Sequence, residues 1–193
     1  MVLLAALLAA TLLPTPDPHP VLIVNSRFTP VPGGPSWTLK VRLYPKQAEI
    51  YQGADIPTLY GPIRFEVTRP GQHTRITRFE DIAKERSAVF GALSEPLVFV
   101  PTFQDLNHDG RLDFTLCERT GAYISDCSVF TVQSDGSVAL LPIGESSSFR
   151  VLINLKPTCP VLEATPDGFC FSNPADDARR ACLRWDSGLG AFH

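Results

Sequence analysis

The chain has no run of about 18 apolar residues, so none of its segments is long enough to cross a bilayer as a helix. It has no basic excess either: 17 Lys and Arg stand against 20 Asp and Glu in 193 residues, a formal net charge of -3. A surface built to neutralise duplex phosphates is therefore not expected, and no nucleic-acid partner follows. No two cysteines are spaced Cys-x-x-Cys, and none of the four histidines lies near two cysteines, which leaves a structural zinc site without ligands. His-Glu-x-x-His, a phosphate-cradling glycine loop and a nucleophile elbow are all missing; Gly144-Glu-Ser-Ser-Ser148 lacks the closing glycine. Disorder as the main content is excluded by the 44% apolar share and the small net charge. A single globular domain with a core of ordinary size remains.

The first 13 residues, Met1 to Leu13, are apolar apart from Thr11, and Pro14-Thr-Pro-Asp-Pro-His-Pro20 follows. A helix of that length rises about 20 Å, short of a bilayer's roughly 30 Å, and the prolines cannot continue it. The segment predicts a secretory signal with a Pro-rich leader over residues 1–20, ahead of one domain over 21–193. It lacks a basic residue before the apolar run and a clean small-x-small cleavage site, so a buried N-terminal helix stays the alternative. Removal of residues 1–20 would take away one acid, Asp17, and no base.

Five cysteines agree with export to the periplasm or beyond: Cys117, Cys127, Cys159, Cys170 and Cys182. Cys117 and Cys127 flank a polar loop between two apolar runs, as do Cys170 and Cys182 around Asn173-Pro174. Each pair reads as a staple across a hairpin, adding about 2–3 kcal/mol by loop closure. Cys159 is left over, or replaces a partner in the second pair; five reduced, buried thiols are the remaining alternative.

From Val21 onward the sequence reads as β. Its 18 prolines and 13 glycines fall between short apolar runs, where turns are expected. Strands are predicted at residues 37–44, 63–68, 74–79, 97–103, 114–117, 128–133, 137–142, 149–155, 168–171 and 182–185. In the first, Leu39, Val41 and Leu43 alternate with Lys40 and Arg42. Ser134-Asp-Gly136 between two runs signals a hairpin. One stretch is helix-like, Glu80 to Gly91, with Thr77-x-x-Glu80 as a capping box. Strand spacings of 8–12 residues predict an all-β fold, a compact β-sandwich, barrel or small propeller-like body. Asp-Gly pairs at 109–110, 135–136 and 167–168 lack matching surroundings and make no true repeat.

Asp105-Leu-Asn-His-Asp-Gly-Arg-Leu-Asp113 carries the chemistry. Oxygen-bearing side chains stand at positions 1, 3, 5 and 9, glycine at 6, and a backbone carbonyl is on offer at 7. Ca²⁺ takes six to eight oxygens at about 2.4 Å, and a short loop wraps it only by a sharp turn, which Gly110 permits. Asp105, Asp109 and Asp113 would repel one another without a cation, while Leu106, His108 and Leu112 can point away. An EF-hand is excluded because position 12 is Leu116 and strands flank the loop. A solvated Asp-Gly turn without an ion is the alternative.

In its strand–loop–strand setting the motif resembles the FG-GAP and VCBS-type calcium loops over Val98 to about Val138. The chain is also similar to small secreted proteins related to the periplasmic inhibitors of invertebrate-type lysozyme, with Cys182-Leu-Arg-Trp185 and Gly190-Ala-Phe192 matching their aromatic ending. The resemblance implies Ca²⁺ held by the side chains of Asp105, Asn107, Asp109 and Asp113 and the Arg111 carbonyl. It also implies a non-enzymatic module that blocks a lysozyme cleft.

Elsewhere, Glu80, Asp81 and Glu85 read as a solvated face beside Lys84 and Arg86, and Asp176-Asp177 with Arg179-Arg180 as an exposed loop. Arg64, Arg69, Arg75 and Arg78 with His73, opposed by Glu66, could form a face for an anionic partner or be scattered surface charges. Trp37, Tyr44, Tyr51, Tyr60 and Trp185 would stack on sugars in a glycan-binding or adhesive envelope protein, the alternative to a protein partner, or most of them fill the core. A hydrolase using Cys159 or scattered acids is a third reading.

Overall fold

The computed structural model describes residues 19–49, 57–83, 90–93, 100–120, 124–144, 148–152, 160–173 and 176–193. The apolar N-terminal segment, Tyr51, Lys84 to Arg86 and Cys159 lie outside them. The chain runs β1 (Val21–Phe28), β2 (Trp37–Leu43), β3 (Gln47–Glu49), β4 (Thr58–Gly61), β5 (Ile63–Thr68), β6 (Arg75–Arg78), α1 (Phe79–Ile82) and β7 (Phe90–Leu93). It continues with β8 (Asp113–Arg119), β9 (Ile124–Val132), β10 (Val138–Leu141), β11 (Phe149–Leu152), β12 (Leu162–Thr165), β13 (Gly168–Asn173), β14 (Asp176–Asp186) and β15 (Ala191–Phe192). The fold is all-β, and every strand pairing is antiparallel.

Among the described residues four sheets result, in the orders β1-β2-β5-β6, β8-β9 with β10 and β11 successively on the far edge of β9, β12-β13-β14-β15, and β3-β4-β7. None closes into a barrel. The second sheet is central. Successive side chains on a strand point to opposite faces, and here both faces are covered. Phe114, Leu116, Phe130 and Val132 join Leu39, Val41, Phe65 and Val67 of the first sheet in one core. Cys127, Val129, Leu141 and Val151 join Phe169, Phe171 and Phe192 of the third sheet in another. Aromatic pairs fill both: Phe114 and Phe130 stack 5.4 Å apart in the first, and Phe149 and Phe171 meet tilted at 4.5 Å in the second.

Several expectations need correction. Of the helix expected over Glu80 to Gly91, the described residues hold the end of the four-residue α1, which stops before Ala83, and Gly91 lies in β7; residues 84–89 lie outside them. No side chain caps α1; its N-cap is Arg78, and the Thr77 hydroxyl instead accepts the Val138 amide at 3.0 Å, tying β6 to β10. Residues 100–103 before the loop are not a strand, and Pro101 there has no amide to donate to a ladder. The exposed loop expected at Asp176 to Arg180 is instead the start of β14. Both hairpin staples form, Cys117–Cys127 joining facing residues of β8 and β9 and Cys170–Cys182 facing residues of β13 and β14. Two disulfides point to an oxidising, extracytoplasmic setting. Among the described residues no helix is long and apolar enough to cross a membrane.

Candidate functional site

The loop from Asp105 to Leu112 is closed at its neck by Gln104 and Asp113, which exchange both backbone hydrogen bonds at 3.0 and 2.7 Å. Its two leucines anchor it on opposite sides of the central sheet. Leu106 is buried in the core shared with the third sheet, and Leu112 packs against the core shared with the first. His108 adopts φ 58° and turns outward, its Nε2 2.7 Å from the Thr165 carbonyl on β12. The Gln104 side chain docks on β12 too, donating to the Leu162 carbonyl and accepting the Ala164 amide. These three apolar or aromatic positions therefore point away from the loop's interior, as their alternation predicts.

Within the loop, oxygens collect on backbone amides. Asp105 accepts the amides of Asp109 at 3.1 Å and Gly110 at 3.0 Å. Asp109 accepts the Arg111 amide at 2.9 Å, and its other oxygen accepts from Asn107 Nδ2 at 3.1 Å. Gly110 at φ 81° makes the reversal, a backbone state that disfavours a side chain. The Arg111 side chain bridges Asp109, at 2.9 Å, and the Gln133 amide oxygen. Four oxygen-bearing residues, three of them carboxylates, thus stand in the loop and its neck within the nine residues from Asp105 to Asp113.

Asp113 differs from the others. It begins β8 opposite Thr131, is completely buried, and accepts the Leu106 amide at 2.8 Å through Oδ2. Its Oδ1 and the facing Thr131 hydroxyl are both buried, and neither completes a hydrogen bond among the described residues. Burial pushes the Asp113 carboxyl up to about 7 against the lowering by the Leu106 amide, and the charges of Asp109 and Asp105 add to the rise. A desolvated carboxylate with an orphaned oxygen beside two more carboxylates fits a hard divalent cation in donor chemistry. Among the described residues no three His, Cys, Asp or Glu side chains converge as a ready-made metal cluster; Asp105 and Asp109 instead face the loop's own amides.

The remaining candidates disperse. Glu80 and Asp81 are exposed. Trp37 packs on the first core and Trp185 on the second, edge-on to Phe192, while Tyr60 donates to the Arg119 carbonyl at 3.4 Å. These rings serve packing more than an open sugar platform. The hairpin at Ser134 to Gly136 forms as expected, with the Gly136 amide on the Gln133 carbonyl. Compared with known protein families, with characterised proteins and with solved structures, the chain matches none.

Proposed function

We propose that this chain is an extracytoplasmic, non-enzymatic binding module whose β-fold is pinned by Ca²⁺ in the loop from Asp105 to Asp113. The observation that carries the ion is Asp113, a carboxylate buried without full partnership next to Asp105 and Asp109. Asp105, Asn107, Asp109 and Asp113 would hold the cation with their side chains and Arg111 with its carbonyl. Bound there, the ion would neutralise the three carboxylates and tie the neck of the loop to both cores. The two disulfides and the apolar first 13 residues support export. The partner is a protein or a cell-envelope glycan, with a lysozyme the protein that the sequence resemblance puts first.

The test of the ion is thermal unfolding in Ca²⁺ and in chelator. Ca²⁺ raises the melting temperature by an amount that grows with its concentration over Kd, and Asp109→Ala removes the response. Identical curves in both conditions would overturn the calcium reading. For the partner, stoichiometric depression of lysozyme turnover supports inhibition, whereas co-sedimentation with peptidoglycan and unchanged turnover supports an envelope glycan. Turnover of any substrate that Cys159→Ser abolishes would make the chain an enzyme.

A further inference from the structure

The outer face of the first sheet carries its cations in register. Arg42 of β2 stands opposite Arg64 of β5, and Arg64 opposite Arg78 of β6, so three arginines form one row across three strands. The adjoining row runs Lys40, Glu66, Ile76, and Arg27 of β1 lies exposed beyond it opposite Thr38. The alternate residues of the same strands, Leu39 and Val41 among them, are buried beneath. Five cations and one acid thus share a face of a chain whose formal charge is -3.

Like charges facing each other across strands destabilise a sheet, and little within the chain offsets these. Glu66 pairs with Arg42 at 3.0 Å, and the Arg64 guanidinium lies 4.3 Å over the Tyr44 ring. Arg27, Lys40 and Arg78 make no ion pair among the described residues. Arg69 and Arg75, grouped with Arg64 and Arg78 by the sequence, turn instead to the β9–β10 hairpin. Arg69 donates to the Ser134 carbonyl and Arg75 pairs with Asp135 at 3.6 Å.

We propose that this face binds an acidic polysaccharide. Neighbouring strands lie about 4.8 Å apart, so the row sets three arginine backbone positions at a regular short spacing, and a guanidinium fork is matched to a planar carboxylate. A linear polymer with an acid on successive sugars meets that pattern. A protein interface would want an apolar centre, and of the exposed large apolar side chains among the described residues Ile76 alone stands on this face. The proposal deepens the binding-module reading, on which it rests for the partner's location but not for the ion.

Affinity electrophoresis of the full chain through polygalacturonate, with neutral dextran and polyglutamate as parallel matrices, tests it. Polygalacturonate retards the wild type, dextran does not, and salt abolishes the retardation. Arg42→Thr/Arg64→Thr/Arg78→Thr weakens binding at least tenfold while its melting temperature stays equal or rises, an outcome a structural role for the row would not give. Arg78→Gln alone, on the exposed edge strand, weakens binding several-fold and covers the case in which the triple variant does not fold. Unretarded wild type, undiminished binding by the variants, or equal retention by polyglutamate overturns the proposal. Retention that persists in chelator below the unfolding temperature keeps this result separate from the fate of the calcium reading.

Discussion

Asp113 is where burial and charge conflict most sharply. Its carboxyl is raised to about 7 by burial, against an ordinary value of 3.8. The folded chain therefore binds a proton more tightly than the unfolded chain does. The stability this contributes is present below about pH 4 and is lost as pH rises from there through about 7, where the native state must bury a charge. In chelator the melting temperature should accordingly fall between pH 4 and pH 8, and saturating Ca²⁺ should flatten that dependence. Asp113→Asn keeps an acceptor for the Leu106 amide without the charge; in chelator at pH 8 it should melt at or above the wild type and show no response to Ca²⁺. Arg111→Ala separates side chain from backbone. It removes the cation now paired with Asp109 and keeps the carbonyl, so Ca²⁺ affinity measured by calorimetry should hold or rise, opposite to Asp109→Ala.

At the scale of elements, the disulfides offer the cleanest numbers. Cys117→Ser/Cys127→Ser and Cys170→Ser/Cys182→Ser each open a loop of similar length, with separations of 10 and 12 residues. Each should cost about 2–3 kcal/mol in urea unfolding. The first lies on β8, four residues past Asp113, and should also weaken the Ca²⁺ response. The strands read most clearly from sequence are those with one wet face, such as β2 and β5, where alternation survives intact. β1 escaped because a bulge between Leu22 and Val24 puts Ile23 and Val24 both inside and breaks the period. The start of β14 escaped because its charged residues mimic a turn. The loop's composition revealed its donors and its glycine turn, but not that Asp113 would be sealed from water while Asp105 spends its oxygens on amides. That depends on Leu106 and Thr131, whose positions come from packing.

For the whole molecule, the central sheet decides cooperativity. Its two faces serve two cores, so neither can open without exposing strands the other needs. Phe130→Ala strikes the first core and Phe149→Ala the second; each should cost about 3–5 kcal/mol, and both should shift one common unfolding transition by near-UV and far-UV dichroism alike. Two separate transitions would mean that the layers fold independently. The same arrangement limits where a partner can sit, because both broad surfaces of the middle layer are already taken and the outer face of the first sheet is open.

The neck of the acidic loop is wedged by Leu106 into one core and by Leu112 onto the other. A ligand gripping those few residues would thus be felt as slower amide hydrogen exchange in strands as remote from it as β2 and β13, a long-range signature that a merely local loop clasp would not leave.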